Sequence, residues 1–246
     1  MDLTIRINDY GQPIGMALPE WRGAELPGDA PLVGRYCRIE RVDVQQHAAA
    51  LYEAYCEAPD WRDWTYLLAG PFETFDAYRG YLDAAAKLTD PMHHAVIDLS
   101  TGKAVGTLAL MRIDAPNGVI EVGSVTYSPR MQRTRLSTET MSLLMKYVFE
   151  DLGYRRFEWK CDSLNAPSRA AALRYGFRFE GIFRQALVTR QRNRDTAWYS
   201  IIDSEYRTLQ AAYARWLAAR NFDEDGNQIE KLTDLIVKED ASRARD

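Results

Sequence analysis

A strand, a basic loop and a helix follow one another over residues 119–152, and this order constrains the fold more than any other stretch. Residues 119–127 are rich in β-branched side chains and include Gly123, which predicts a strand with a bulge. Apolar residues then recur at helical spacing, and a further β-rich segment occupies 156–161. A right-handed helical crossover makes the strands that it joins parallel, so we expect one parallel pair in the sheet.

The loop inside this unit carries four polar or basic side chains, which are those of Arg130, Gln132, Arg133 and Arg135. Free backbone N–H groups and the helix dipole both favour an anion at a helix N-terminus. The alternative is an ordinary strand–turn–helix with a solvated basic turn, because such units are abundant in α/β proteins. Taken alone, the segment favours the ordinary interpretation.

The overall composition excludes several classes of protein. The 246 residues, of which 46% are hydrophobic and 27% charged, suffice for one large domain or two small ones. A net charge of −4 argues against nonspecific nucleic-acid binding. No apolar run approaches the roughly 20 residues that span a bilayer, and no charged leader precedes an apolar segment at the N-terminus. We therefore expect neither membrane insertion nor secretion.

The cysteine and histidine positions predict no metal site and no disulfide framework. Three cysteines without a Cys-x-x-Cys pair fit reduced, mostly buried thiols in a cytoplasmic protein, and they are Cys37, Cys56 and Cys161. His93 and His94 are adjacent on a predicted strand, so their side chains point to opposite faces and do not readily bind one metal.

The remaining periodicities predict a mixed sheet with helices. A turn-rich arm covers 1–33, and strands are expected at 36–41, 93–99 and 104–113. Helices are expected at 44–55, 72–86 and 165–175, and again from 206 to 220 before an acidic, partly disordered tail. A hairpin of strands 179–189 and 196–202 surrounds a turn at 191–195.

An aromatic, acidic segment at 59–68 allows two interpretations. Trp61, Trp64 and Tyr66 with Asp60 and Asp63 could form one wall of a site for a cationic substrate. The alternative is plain core packing between two helices, because large aromatic side chains dominate protein cores.

Several short motifs recur in a characteristic order along the chain. They are Ser-Pro-Arg-Met-Gln-Arg-Thr-Arg-Leu-Ser-Thr-Glu at 128–139, Phe-Glu-Asp-Leu-Gly-Tyr-Arg-Arg at 149–156, Asn-Ala-Pro-Ser at 165–168, Tyr-Gly-Phe at 175–177, Gly181 with Arg184, and Asp-x-x-Trp-Tyr-Ser at 195–200. With the order of elements, they resemble the GNAT superfamily of acyl-CoA-dependent N-acetyltransferases. The resemblance covers about 34–205 and is greatest to the bacterial ribosomal-protein alanine/serine N-acetyltransferase branch.

This resemblance implies an α/β (α+β) fold. Its central sheet is mixed, mostly antiparallel and twisted, with about seven strands flanked by helices and a splay between the two central parallel strands. The implied organisation is an extended arm at 1–33, an acetyltransferase domain at 34–205, and a C-terminal helix and polar tail at 206–246.

The resemblance also implies an acetyl-CoA site. Backbone groups of Val125 and Tyr127 would meet the pantetheine arm, and Asn165 would contact the cofactor, cap its helix, or do both. The pyrophosphate would lie on the backbone N–H groups of Gln132, Arg133, Thr134, Arg135, Leu136 and Ser137. Arg135 stands where the family has a glycine, which leaves three outcomes. The side chain points outward while the backbone still donates, it contacts phosphate directly, or binding is weakened or lost.

Acetyl transfer to an amine needs a base, because alkyl ammonium groups have a pKa near about 10.4. By resemblance, Glu121 is the base, with Glu158 a weaker candidate, and Ser168 gives a proton to the leaving thiolate. The alternatives are that Glu121 is a hydrogen-bonded strand residue and Ser168 only satisfies helix N–H groups. Ala172 replaces the tyrosine of many relatives, and we expect Tyr175 and Cys161 to be packing residues.

The function implied is transfer of acetyl from acetyl-CoA to a primary amine, directly in a ternary complex. The acceptor is a protein N-terminus or a small molecule, with no nucleic acid and no membrane, and a homodimer is compatible with the resemblance. The alternatives are an antibiotic or polyamine acetyltransferase and a non-catalytic acyl-CoA-binding or interaction module. Five hairpin arginines could meet a nucleotide 3′-phosphate or an acidic partner, or be solvated, and they are Arg178, Arg184, Arg190, Arg192 and Arg194.

Overall fold

The computed structural model describes residues 6–243, and its largest element is an eight-stranded sheet. The strands are β1 (Arg6–Ile7), β2 (Pro13–Ile14), β3 (Leu32–Val33), β4 (Cys37–Arg41), β5 (Met92–Asp98), β6 (Lys103–Asp114), β7 (Val119–Tyr127), β8 (Arg156–Asp162), β9 (Arg178–Thr189) and β10 (Arg192–Ile202). The helices are α1 (Val44–Cys56), α2 (Phe75–Ala86), α3 (Arg135–Lys146), α4 (Ala166–Arg174), α5 (Asp203–Leu217) and α6 (Leu232–Arg243). β1 and β2 form a separate two-stranded hairpin.

The large sheet has the order β3-β4-β5-β6-β7-β8-β10-β9, and only β7 and β8 pair in parallel. That pairing runs from Val119 opposite Arg156 to Val122 opposite Trp159, and then ends. Beyond it the register of β7 with β6 shifts at Ser124 and Val125, and Ser124 has a φ of 49°. The predicted mixed sheet, bulge and splay are therefore confirmed.

Helices cover both faces of the sheet. α1 and α2 bury an aromatic cluster with Ala95, Ile97 and Ala104 on one face. The other face carries α3 and α5 over the larger core, which includes Val96 and Leu108. Because successive strand residues alternate between faces, this division decides which side chains can meet an incoming substrate.

Two elements differ from those expected from sequence. The short edge strand β3 adds an eighth strand to the seven that the periodicities indicate. β10 begins at Arg192, so the hairpin turn lies at Arg190 and Gln191, whose φ angles are 49° and 61°. Polar residues at 192–194 still pair with β9 because an edge hairpin needs no apolar face at its tip.

The C-terminal tail is ordered through residue 243, so the expectation of partial disorder is wrong for that part. Its helix α6 packs on α5 with Leu232 and Leu235, each about 1% exposed. α6 has few apolar positions among its many charged residues, so its sequence does not indicate a packed helix. Residues 1–5 and 244–246 of the expected arm and tail lie outside the described part.

The N-terminal arm is anchored where β6 turns into β7. The indole N–H of Trp21 donates to the Pro116 carbonyl at 2.7 Å, and the Ala24 N–H donates to the Ala115 carbonyl at 2.9 Å. Gly118 has a φ of 66°, and the Trp21 ring fills the space beside it. Over residues 6–243, no helix is both long and apolar enough for a bilayer crossing.

Candidate active site

A cavity of about 510 Å³ opens where β7 and β8 separate. The segment that follows α1 covers it through two hydrogen bonds. The Gln132 side-chain amide donates to Asp63 at 2.8 Å, and the Tyr66 hydroxyl donates to the Leu164 carbonyl at 3.2 Å. The tip of the β9–β10 hairpin joins this cover because Arg190 donates to the Ala69 carbonyl at 3.0 Å. The splay is therefore a walled channel.

Glu121 lines the channel and is 3% exposed. Its Oε2 accepts a hydrogen bond from Arg112 at 2.6 Å and lies 2.9 Å from Nζ of Lys160. Both cations therefore contact one oxygen, and Oε1 forms no hydrogen bond within residues 6–243. Oε1 lies on the side of Gly123, where the two strands begin to separate.

An ionic chain leads from Glu121 away from the channel. Lys160 also contacts Glu158 at 2.6 Å, and Arg156 joins Glu158 at 2.8 Å to Glu180 at 2.5 Å. The Lys160 ammonium lies 3.8 Å from the centre of the Trp198 ring. Glu158 is buried in this chain and does not line the cavity, so the structure separates the two candidate bases.

Ser168 lines the channel from the opposite face of the sheet. Its Oγ accepts a hydrogen bond from the Trp159 indole N–H at 3.0 Å, while its backbone N–H donates to the Asn165 side chain at 3.1 Å. Trp159 and Glu158 are neighbours on β8, and Glu158 is level with Glu121, so Ser168 and Glu121 flank the splay from opposite faces. The Ser168 hydroxyl accepts one bond and keeps its own proton free to donate.

Asn165 caps α4 as expected, because its side-chain oxygen accepts the Ser168 N–H. Pro167 follows in the first turn, and Gly176 beyond the helix has a φ of 93°. The predicted cap and helix end are confirmed. The cap leaves the side-chain N–H₂ of Asn165 without a partner in the described residues, facing the channel that it lines.

The N-terminus of α3 begins at Arg135, with Thr134 as its cap. The N–H groups of Gln132, Thr134 and Ser137 donate to Ser128, Met131 and Thr134. Those of Arg133, Arg135 and Leu136 have no acceptor within residues 6–243. Of the six backbone N–H groups at 132–137 that were expected to bind pyrophosphate, three are therefore free. Free donors at the positive end of a helix suit an anion.

The Arg135 guanidinium points away from these donors. It lies 3.6 Å from the centre of the Phe222 ring, a contact of the cation–π type. The Gln132 side chain is also engaged, because it donates to Asp63 and to the Tyr127 carbonyl at 2.8 Å. Neither side chain blocks the backbone groups at the helix start.

The bulge exposes backbone groups of β7 to the channel. Ser124 and Val125 have no register partner on β6, and pairing with β8 ends before them. Tyr127 remains paired with Gly106. Free amide groups along one wall suit a ligand that itself carries amides.

The aromatic segment is divided between the core and the wall of the cavity. Trp64 is buried against Tyr55 and Phe72, which confirms core packing for that residue. Tyr66 and Asp63 instead close the channel. Asp60 pairs with Arg62 at 2.6 Å rather than facing a substrate.

Two other candidates are inert in this arrangement. Burial raises the pKa of the Cys161 thiol, so that a thiolate nucleophile is disfavoured. Burial likewise raises the pKa of the Tyr175 hydroxyl, which lies 3.4 Å from the Ser137 carbonyl. Both are packing residues, as expected.

Lys160 and Arg112 were not found from the sequence. Both depend on strand register, which sets Glu121 opposite Glu158 and Met111. The alternation Arg156, Glu158, Lys160 on one strand indicates a shared charged face.

A family model described as an acetyltransferase (GNAT) domain matches residues 38–178, more than half of the chain. The chain belongs to the GNAT family. A GCN5-related N-acetyltransferase from Brucella melitensis is 45% identical over 89% of this chain and 100% of its own, with a TM-score of 0.87. A GNAT-family protein from Chromobacterium violaceum is 40% identical over 80% of this chain and 98% of its own, with a TM-score of 0.73.

A more distant GNAT structure shares the fold alone. It is a Salmonella typhimurium acetyl transferase that modifies the N-terminal serine of ribosomal protein L7/L12, 19% identical over 70% of this chain and 99% of its own, with a TM-score of 0.60. No curated protein sequence matches the chain significantly. GNAT enzymes use acetyl-CoA as co-substrate, so the protein is an acetyltransferase. No group of three or more potential metal ligands occurs in the described part of the chain.

Proposed function

We propose that the enzyme transfers acetyl from acetyl-CoA to a primary amine by direct attack in a ternary complex within the splay. One observation carries this proposal. A buried carboxylate, that of Glu121, lines a channel that is also lined by Gln132, in the loop that leads to the free N–H groups at the start of α3. A proton acceptor inside the channel and an anion site at the helix start that follows its Gln132 wall suit an amine and a phosphate-bearing donor.

The donor site is formed mainly by backbone groups. The N–H groups of Arg133, Arg135 and Leu136 would hold the pyrophosphate, and Val125 and Tyr127 offer backbone groups to the pantetheine arm. The free amide N–H₂ of Asn165 reaches the same wall. Gln132, Thr134 and Ser137 shape the loop through their internal hydrogen bonds. When bound, acetyl-CoA supplies an activated acyl group as a thioester.

Glu121 acts as the base. Its Oε1 is free to take a proton from the acceptor ammonium, directly or through one water, while Arg112 and Lys160 hold Oε2 in place. Ser168 keeps its hydroxyl proton available to the leaving sulfur because Trp159 occupies its acceptor side. A thiolate leaves readily, so the contribution of Ser168 is smaller than that of Glu121.

The acceptor is a protein N-terminus or a small-molecule amine, including antibiotic or polyamine amines. A non-catalytic acyl-CoA-binding module is the competing function, suggested by Arg135 in the phosphate loop. The position of Arg135 on Phe222 supports donor binding, because the guanidinium leaves the backbone N–H groups uncovered. We further propose a cytoplasmic location, which the three free thiols support. We also predict a homodimer, and light scattering would test this by measuring the mass of the protein in solution.

The deciding experiment measures thiol release from acetyl-CoA with a panel of amines, for the wild type, Glu121→Gln and Glu158→Gln. Glu158→Gln is the matched control because it removes the same charge from Lys160 without lining the cavity. We expect Glu121→Gln to lower kcat by about 10²- to 10⁴-fold. Unchanged turnover between about pH 6 and pH 9 would exclude Glu121 as the base. Binding of CoA without turnover of any amine would favour the binding module.

A further inference from the structure

Two buried polar atoms on β10 have no hydrogen-bond partner within residues 6–243. They are Nε of Arg194 and Oγ1 of Thr196. Thr196 is 4% exposed. Each unsatisfied buried polar group costs about 1–3 kcal/mol, and such groups are rare enough to need a reason. Two of them on one strand, two residues apart, indicate a ligand that completes their hydrogen bonds.

Both residues lie on the same face of the sheet as Glu121. Thr196 is opposite Asp162 and Ser200 is opposite Glu158, which is itself level with Glu121. Arg194 points to the same face as Thr196, because the two residues are two positions apart on β10. The β-bulge between them places its extra residues on β9 and leaves the alternation of β10 unchanged. Arg194 lines the cavity that contains Glu121. Arg194 therefore faces the cavity, and Thr196 lies on the same face of β10, two residues along the strand.

Arg194 is the charged residue of this cavity that is left without a partner in the described part of the chain. Each of the other charged residues has a partner. The pairs are Arg62 with Asp60, Arg112 with Glu121, Lys160 with Glu121, Asp63 with the Gln132 side chain, and Asp162 with the Leu164 N–H. The neighbouring Asp195 is held by the Gln185 N–H and the Asn193 side chain. A positive charge beside a free hydroxyl is suited to an anion that accepts hydrogen bonds from both.

The distance along the sheet limits which anion can bind. On β8, Glu158 lies opposite Glu121 and Asp162 lies opposite Thr196. These two β8 residues are four positions apart, which corresponds to about 13 Å of strand. The carboxylate of a free amino acid is too close to its own amine to reach that far. An extended peptide covers the same distance with about four residues.

We propose that Arg194 and Thr196 bind an acidic side chain of a peptide acceptor, at about the fourth position from the amine that is acetylated. This inference rests on the proposed acetyltransferase function and specifies its acceptor as an acidic protein N-terminus. Arg194 forms an ion pair with the carboxylate, and the Thr196 hydroxyl donates a second hydrogen bond. A phosphate group of acetyl-CoA is also an anion that Arg194 could bind. The experiment below distinguishes this phosphate from the carboxylate of the peptide.

The test compares peptides that differ only in glutamate or glutamine at the fourth position. With the wild type, we expect kcat/KM for the glutamate peptide to be higher by about 10- to 100-fold. Arg194→Gln should remove this preference and leave the glutamine peptide within about twofold of the wild-type rate. Thr196→Val should reduce the preference partly. Arg192→Gln, on the exposed part of the same strand, is the matched control and should keep it.

Three readouts decide between the outcomes. Wild-type rates that are equal for the two peptides, or a preference that survives Arg194→Gln, would overturn the subsite. A loss of the difference in affinity between CoA and dephospho-CoA in Arg194→Gln would assign Arg194 to the donor phosphate instead. If no amine is turned over, the acetyltransferase proposal fails, and the affinity of the CoA-loaded protein for the two peptides still tests the subsite. Thermal unfolding of Arg194→Gln should match the wild type, because the guanidinium has no partner to lose.

Discussion

Lys160 is the residue that holds the candidate site together electrostatically. Its side chain is 7% exposed, and its ammonium lies between Glu121 and Glu158. Lys160→Met would leave two buried carboxylates without their shared cation, so we expect a loss of about 3–5 kcal/mol in the free energy of unfolding. We also expect a lower kcat, because Glu121 loses one of its two supports. Urea denaturation and thiol-release kinetics measure both effects.

Arg156→Met provides the matched control for Lys160. Arg156 belongs to the same strand and the same face, and it contacts Glu158 and Glu180 but not Glu121. Its loss should lower stability and leave kcat close to the wild-type value. Equal effects of the two variants on kcat would mean that Lys160 has no specific link to the base.

His94 gives the fold a defined sensitivity to acid. Burial, and then the charge of Arg41, lower the pKa of this imidazole to about 4, from 6.5 when unfolded. Protons therefore bind the unfolded chain more readily, and stability falls as the pH drops from 6.5 towards 4. The contribution is about 3 kcal/mol. Denaturation at a series of pH values should show a shallower slope for His94→Gln, and an unchanged slope would contradict this assignment.

At the scale of residues, the sequence indicates site residues that belong to the family pattern. It does not indicate residues that enter the site through the pairing of strands. Ser168 and Asn165 are located by their motif and Glu121 by its place on the central strand in the family resemblance, and all three line the channel. Lys160 comes beside Glu121 through the register of β7 with β8, and Arg194 comes into the site because β10 lies beside β8, which is not its neighbour in the chain. A strand order of this kind depends on the whole sheet and leaves no local signal.

The N-terminus of α3 makes a prediction at the scale of an element. Arg135→Gln removes only a guanidinium that lies on Phe222, so CoA affinity should stay within about twofold. Arg135→Pro also removes the backbone N–H, at the first helical position where proline is tolerated. Thr134 is already extended, as the residue before a proline must be. We expect this variant to weaken CoA binding by about 10-fold.

Calorimetric titration with CoA measures both variants of Arg135. The pair separates side chain from backbone, because glutamine keeps the N–H that proline lacks. Weak binding by both variants would show that the guanidinium itself contacts the phosphates. Equal, tight binding by both would mean that this N–H is not part of the donor site.

Elements with strong periodicity were predicted to within a few residues, and weakly patterned ones were not. The cap at Asn165 and the turn at Gly176 bound α4 because each has a distinct local chemistry. β3 is two residues long and exists by pairing with β4. α6 has little amphipathic pattern, so its packing on α5 supplies the stability that its own sequence does not show.

On the scale of the whole molecule, the C-terminal segment supports the candidate site from behind. Phe222 holds Arg135 at the start of α3, and Trp216 lies 5.3 Å from the Arg174 guanidinium at the end of α4. Buried Asn221 joins this segment to the residues before α6, since its side chain donates to the Trp216 and Glu230 carbonyls. Both helices that border the proposed donor site therefore contact residues beyond the family domain match.

This dependence predicts that α6 is part of the cooperative core. Leu235 is about 1% exposed and Val237, on the same helix, is 67% exposed. Leu235→Ala should lower the free energy of unfolding by about 2–5 kcal/mol, because it leaves a cavity between α5 and α6. Val237→Ala should change it by less than about 0.5 kcal/mol. Thermal and urea denaturation compare the two, and a Leu235→Ala protein as stable as Val237→Ala would show that α6 folds independently of the acetyltransferase domain.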